Sequence, residues 1–328
     1  MLIFLTILLV LFLTALVVWY LKADADISLL ALQLIGKDIK TLEGKVVWIT
    51  GASSGIGEFL AYELAKCGVK LALSARRESE LLRVKSHCEE IGAKPSDVLV
   101  VPLDITAYDK HEEAFKKILS HFGDLDILVN NAGRSQRANW EKIELQVDRD
   151  LFEVNVFGLI GLTRTVLPHF LKKQSGHLVV TSSTAGKLGV PFSGSYTATK
   201  HALHGYFESL RTEKAAFGIK ITIVCPGPVF SNILRQAATE KAGSIFGEDM
   251  KSSDNRVSTQ RCAQLMAIAI ANEVTECWIA FNPVMFFMYY ACYLPDTFRR
   301  FTAVVNSKRF MKLRDSRDTM ESLDKKDT

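Results

Sequence analysis

The chain predicts one α/β domain, a doubly wound parallel sheet with helices on both faces, preceded by an N-terminal transmembrane helix. Three observations carry that expectation. Short apolar runs alternate with longer helical patterns from residue 44 to about 282, and strand–helix–strand repetition builds parallel sheets. The first such run leads straight into a glycine-rich turn and then a helical pattern. Residues 1–21 contain no charged side chain, proline or glycine.

That opening stretch is long enough to span a bilayer, since about 20 helical residues cross the ~30 Å hydrocarbon core. Trp19 and Tyr20 fall where interfacial aromatics gather. A cleaved signal peptide fits less well, because a basic leading region is missing and no small-x-small site follows directly. The chain then reads as a linker over 22–43 and as one catalytic domain over 44–282. Lys45 to Thr50 is the first buried strand. Further strand-like runs lie at Leu71 to Ser74, Val98 to Pro102, Ile127 to Asn130, His177 to Ser182, Lys220 to Cys225 and Cys277 to Ala280. Helical patterns include Gly57 to Cys67 and Tyr196 to Phe217. Neither an internal repeat nor a low-complexity linker divides this span, and Gly247 to Arg256 is expected as a loop within it. The aromatic-rich segment 283–305 is too short to cross a bilayer and reads as core or contact packing, with a membrane-dipping lip as the sharper alternative. The tail, 306–328, is charged and expected to be solvated.

Composition narrows the function classes. With 48% hydrophobic residues the chain has ample material for a core. A net charge of +4, scattered without a basic stripe, argues against nucleic acid and for small-molecule partners. The six cysteines are far apart and form no CxxC pair, so neither a zinc ribbon nor a redox motif is indicated. His111, His121, His169, His177, His201 and His204 show no metal-ligand spacing, and no metal is expected.

The chemistry lies in four places. Thr50-Gly51-Ala52-Ser53-Ser54-Gly55-Ile56-Gly57 follows the first strand and opens a helix. Glycines there allow a tight turn and close backbone approach, and the helix start offers free N–H groups to a dinucleotide pyrophosphate, as in Rossmann-type folds. At the end of the second strand the chain reads Leu73-Ser74-Ala75-Arg76-Arg77 with no acid at the turn. Two guanidiniums suit a 2′-phosphate where a carboxylate would repel it, so NADP(H) is expected over NAD(H). Tyr196 and Lys200 stand four apart at the start of a helical pattern and share one face. An ammonium beside a phenol favours its ionised form and draws its titration toward neutrality. Ser183, thirteen residues earlier, leaves a buried strand at the sheet edge where such folds place ligands.

Together with Asn130-Asn131-Ala132-Gly133, Asn155 and Pro226-Gly227-Pro228-Val229, these motifs resemble the short-chain dehydrogenase/reductase family over residues 44 to about 282. The anchor, the SARR turn and Thr199 to Leu203 look closest to its membrane-bound member 7 group and less close to microsomal hydroxysteroid and retinol dehydrogenases. The resemblance implies a catalytic set of Asn155, Ser183, Tyr196 and Lys200. Tyr196 would protonate the substrate oxygen and Ser183 would bind that same oxygen. Lys200 would lower the Tyr196 pKa and hold the ribose, while Asn155 would keep a water for proton resupply. It further implies cofactor contacts at Gly51, Ser53, Ser54, Gly55, Ile56, Gly57, Arg76, Arg77, Asp104, Asn131, Tyr196, Lys200, Val229 and Ser231. Position 231 is often threonine in the family, and serine keeps the hydroxyl.

These readings converge on reduction of hydrophobic carbonyls such as retinal or steroid ketones. Net oxidation of the corresponding alcohols, or a tethered nucleotide-binding scaffold without turnover, are the competing expectations. Homo-oligomers are common among similar proteins. The end Lys325-Lys326-Asp327-Thr328 resembles a dilysine signal of endoplasmic reticulum membrane proteins, which would place the domain on the cytosolic side.

Overall fold

A computed structural model describes residues 1–305, and the expectations made for 306–328 lie outside the described residues. In chain order the elements are α1 (Leu2–Lys22), α2 (Ile27–Ile35), β1 (Val46–Thr50), α3 (Gly55–Ala65), β2 (Lys70–Ser74), α4 (Glu78–Glu90), β3 (Val98–Val100), α5 (His111–Phe122) and β4 (Ile127–Asn130). Then come α6 (Leu145–Phe152), α7 (Gly158–Lys173), β5 (Gly176–Thr181), α8 (Gly194–Lys214), β6 (Ile219–Pro226), α9 (Thr259–Ala271), β7 (Glu276–Ile279), α10 (Val284–Tyr293) and α11 (Pro295–Val304).

Seven strands pair in the order β3-β2-β1-β4-β5-β6-β7, every pair parallel. Because successive strand side chains point to opposite faces, each strand feeds two cores. Val47 and Ile49 of β1 join α2, α3 and α9 on one face, whereas Val46 and Trp48 join α5, α7 and α8 on the other. Both faces are therefore covered, and β1, β4 and β5 are buried along their whole length. The chain reverses its direction of winding between β1 and β4, and their carboxyl ends open the crevice where ligands settle in such sheets.

Helix α1 is long and apolar enough to cross a membrane, and none of its tested window is buried. The run 145–173 passes the same length and apolarity test, but half of it is buried against the sheet, as a core layer must be.

Residues 22–43, expected as a linker, are part of the folded domain. Ala25, Leu29 and Leu42 are buried in the core that α3 and α9 share. Asp26 ties this segment to β7: its N–H donates to the Trp278 carbonyl at 2.9 Å, and its carboxylate accepts the Trp278 N–H at 2.7 Å. Arg261 of α9 grips Asp24 with Nε at 2.6 Å. Local pattern missed this because the apolar positions serve a partner more than 200 residues away. Removing Leu29 to alanine would cost roughly 2–5 kcal/mol, the ordinary penalty for emptying such a site. The expected loop at 247–256 is irregular, yet Asp254 and Arg256 within it are buried and paired at 3.0 Å.

Candidate active site

One cavity of about 1340 Å³ opens over the carboxyl ends of β1, β4, β5 and β6. It is lined by Gly51, Ser53, Ser54, Gly55, Ile56, Arg76, Arg77, Asp104, Asn131, Ser183, Tyr196, Lys200, Val229 and Ser231, so residues scattered over 180 positions meet in one place. Gly57 and Asn155, also expected at the site, stand behind this lining and shape it.

The nucleotide end is built from backbone. Gly51 and Gly55 have φ of 66° and 60°, a region that side chains strain to reach. A Cβ on Gly57 would lie 2.5 Å from the Gly51 carbonyl and 2.6 Å from Asn131 Nδ2, so only glycine lets the turn close. Asn131 holds the turn by donating Nδ2 to the Thr50 carbonyl at 3.0 Å, and its own Oδ1 accepts from Thr181 Oγ1 at 3.2 Å. Thr50 Oγ1 accepts the N–H groups of Asn131 and Ala132 at 3.0 and 3.1 Å, which locks the two loops together. Ser54 stands at the cap position of α3 but makes no side-chain cap bond, which leaves the first N–H groups of the helix for an anion. Arg76 and Arg77 are exposed at the cavity rim and, among the described residues, form no ion pair with a carboxylate. Asp104 lines the cavity while its carboxylate accepts from the Thr106 N–H and hydroxyl at 3.0 and 2.8 Å. These features fit a nicotinamide dinucleotide: a glycine cradle, an uncapped helix start and unpaired cations at the far end.

The reacting end belongs to β5 and α8. Lys200 is fully buried, and its Nζ donates to the Thr181 carbonyl at 2.8 Å. Burial disfavours its charge and brings its pKa down to about 8. The same Nζ lies 5.6 Å from the centre of the Tyr196 ring. Ser183 Oγ donates to the Pro226 carbonyl at 3.1 Å and accepts the Ala185 N–H at 3.1 Å. Its hydroxyl is thus held at the cavity wall before any ligand arrives.

Asn155 lies in a five-residue π-helical stretch, Glu153–Phe157, between α6 and α7, a geometry that often marks functional sites. Its Oδ1 accepts the Arg134 N–H at 2.7 Å, and its Nδ2 donates to the Arg134 carbonyl at 2.9 Å and to Thr199 Oγ1 at 3.0 Å. The amide is therefore satisfied by protein groups, and what its side chain does in this structure is position the 133–134 turn. Gly133 separates it from the lysine: a Cβ there would stand 3.3 Å from Asn155 Oδ1 and 3.6 Å from Lys200 Nζ.

Several working residues escaped the sequence reading. Gln136 caps the start of α8 from 59 positions away, its Oε1 accepting the Ser195 N–H at 2.9 Å and its Nε2 donating to Ser195 Oγ at 2.8 Å. Arg134 donates Nε to the Gln236 carbonyl at 2.9 Å, and Ala238 pairs with Gln136 in a parallel bridge, so the loop after β6 is strapped across the cavity. Arg83 braces the glycine turn by donating Nη2 to the Ser53 carbonyl at 3.4 Å while Nη1 pairs with Glu58 of α3 at 2.8 Å. Adjacency to NNAG could have flagged Arg134; nothing local marks Gln136 or Arg83. Behind α8, His204 Nε2 sits 3.0 Å from Ser182 Oγ, and its ligand-type atoms lie within 4.8 Å of those of Glu208 and Glu276. Lys187 at 2.7 Å from Glu276 and Arg211 at 2.5 Å from Glu208 already neutralise that pair.

Comparison with known proteins agrees with this construction. The family profile described as short chain dehydrogenase matches residues 45–242. Human dehydrogenase/reductase SDR family member 7 is 43% identical over 306 residues, covering 92% of this chain and 90% of that protein. The mouse protein of the same name is 44% identical, covering 84% and 82%. An Arabidopsis thaliana protein named 11-beta-hydroxysteroid dehydrogenase-like 2 is 37% identical, covering 69% and 70%. The crystal structure of a short-chain dehydrogenase from Streptomyces avermitilis superposes with a TM-score of 0.65 at 30% identity, covering 79% of this chain and 97% of that one. With a matched profile over more than half its length, a seven-stranded parallel sheet and a glycine cradle at the winding reversal, the chain belongs to the short-chain dehydrogenase/reductase family of oxidoreductases, which act with a nicotinamide nucleotide.

Proposed function

We propose that this protein is a membrane-anchored, NADP(H)-dependent reductase of hydrophobic carbonyl compounds, in the class of retinal, steroid ketones and xenobiotic ketones. The observation that carries the reading is the meeting of Tyr196, Lys200 and Ser183 in the same cavity that the glycine cradle lines. When bound there, the nicotinamide nucleotide supplies the hydride. The chain's own residues do the rest. Ser183 and Tyr196 would hydrogen-bond one substrate oxygen, and Tyr196 would give it a proton. The Lys200 ammonium, set into a dry site, stabilises the negative charge left on Tyr196 far better than it would in water.

Preference for the 2′-phosphate is supported by Arg76 and Arg77, since each charge-assisted contact contributes about 1.5–3 kcal/mol and no acid at that turn opposes it. Apolar substrates are supported by Val284, Phe287 and Phe298, which form the wall of the cavity nearest the C-terminal helices. The long apolar run of α1, charged only at its last residue, Lys22, supports a membrane address, for which the endoplasmic reticulum with a cytosolic domain is the proposed site. The same residues would catalyse net oxidation of the corresponding alcohols by microscopic reversibility. A scaffold without turnover would have no need of Ser183, Tyr196 and Lys200 together.

The test is NADPH consumption by detergent-solubilised protein against retinal, steroid ketones and small aromatic carbonyls, with Tyr196→Phe as control. Turnover is expected with at least one lipophilic carbonyl and is expected to vanish in the variant while NADPH binding persists. Near-normal rates in Tyr196→Phe would remove the proton-donor role, and tight NADPH binding without turnover across the panel would favour the scaffold.

A further inference from the structure

We infer that α10 and α11 form a second membrane contact, lying in the headgroup layer of the bilayer that α1 crosses, so that one wall of the cavity faces lipid. This rests on the reading of α1 as a membrane anchor.

The root of α1 is joined directly to this pair. Asn282, two residues before α10, donates Nδ2 to the Tyr20 carbonyl at 2.6 Å. Tyr289 of α10 accepts the Ile27 N–H at 3.1 Å, and its ring packs on Trp278 with centroids 5.0 Å apart. Asp26 then welds the same segment to β7. Tyr20 belongs to the aromatic end of α1, where Trp and Tyr settle at the edge of the hydrocarbon. If α1 crosses the bilayer, α10 therefore begins at the interface, held there by a hydrogen bond and not by a flexible link.

What α10 and α11 turn outward suits that depth. Phe286 is 50% exposed, Tyr293 77%, Leu294 56% and Val304 88%, apolar and aromatic surface on both helices that water would penalise. Arg299 on α11 is also exposed, and a long cationic side chain reaches from such a layer to the phosphates; its neighbour Arg300 is exposed but paired with Asp296 at 2.9 Å. On their inner side the same two helices line the cavity with Val284, Phe287, Phe298 and Thr302. Two helices thus separate the cavity from the proposed lipid contact. A second copy of the chain is the rival occupant of this face; continuity with α1 and the exposed Arg299 favour lipid.

Cys292, exposed at the end of α10, makes the depth measurable in the full chain. In a Cys67→Ser background, a thiol-reactive fluorophore at Cys292 would report from full-length protein reconstituted in vesicles of phosphatidylcholine and phosphatidylserine. Lipids carrying a nitroxide at the top of the acyl chain are expected to quench most of its emission, and aqueous iodide very little. A companion variant, Leu294→Asp with Val304→Asp, is expected to keep floating with vesicles through α1 and to lose that lipid quenching. Quenching by iodide but not by lipid would overturn the proposal, as would protection from both combined with crosslinking of Cys292 between two copies. Failure of the full chain to float with vesicles at all would instead remove the anchor reading, and this proposal with it.

Discussion

The Lys200 ammonium sits 5.6 Å from the centre of the Tyr196 ring while donating to the Thr181 carbonyl at 2.8 Å, so one buried cation joins the acid of α8 to the end of β5. Among the described residues one hydrogen bond, to a neutral oxygen, compensates that charge for its lost hydration, and burial brings its pKa down to about 8. Burial thus makes Lys200 costly to the fold and useful to the site.

That cost has a pH signature. An unfolded lysine keeps its proton to about 10.4, whereas the folded Lys200 gives it up near 8. Between those values the unfolded chain binds more protons, so stability should rise with pH by up to roughly 3 kcal/mol. Urea unfolding of wild type and Lys200→Met at pH 7.5 and 10 would show the rise in the first protein and its loss in the second.

His177 supplies the opposite edge of the pH profile. Buried in β5 against Thr222 at 2.8 Å, it is held down to about 4 because the imidazolium would be desolvated. As pH falls from about 6.5 to about 4 the unfolded chain takes up a proton that the folded one refuses, and roughly 3 kcal/mol should be lost. Replacement by glutamine should flatten that acid limb in a pH series of melting temperatures.

Cofactor choice should follow the two guanidiniums at the end of β2. Arg76→Ser together with Arg77→Ser is expected to weaken NADPH binding by at least about tenfold and to leave NADH nearly unchanged, since each lost phosphate contact contributes about 1.5–3 kcal/mol. Fluorescence titration with both nucleotides would measure it. Equal losses for the two would show that the arginines do not read the 2′-phosphate.

Gly57→Ala places a methyl group 2.5 Å from the Gly51 carbonyl and 2.6 Å from Asn131. Backbone cannot yield there, so nucleotide affinity should fall tenfold or more. The accompanying fall in melting temperature should be smaller than that caused by Leu29→Ala, whose site lies in the core.

Gln136→Ala removes the acceptor for the Ser195 N–H and the donor to its hydroxyl. Because this cap aims the first turn of α8, kcat should drop several-fold with little change in KM for the nucleotide, and Gln136→Glu should recover part of the rate by restoring the acceptor. A uniform loss of both parameters would mean that Gln136 supports only the fold.

Whatever depended on short-range pattern was legible in the chain. Strands Val46–Thr50 and Ile127–Asn130, the glycine turn, the Tyr196–Lys200 face of α8 and the apolar α1 are each encoded within a few residues, because side-chain period and backbone freedom act locally. Tertiary structure alone decided the rest. Packing against β7 and α9 made residues 23–42 part of the domain, since Ala25, Leu29 and Asp26 find their partners only across the fold. The same long-range closure brought Gln136 to α8, spent the Asn155 amide on the Arg134 backbone, and buried Lys200 deeply enough to pull its pKa to about 8. Desolvation and hydrogen-bond satisfaction depend on what surrounds a group in space, and a linear pattern holds no record of those surroundings.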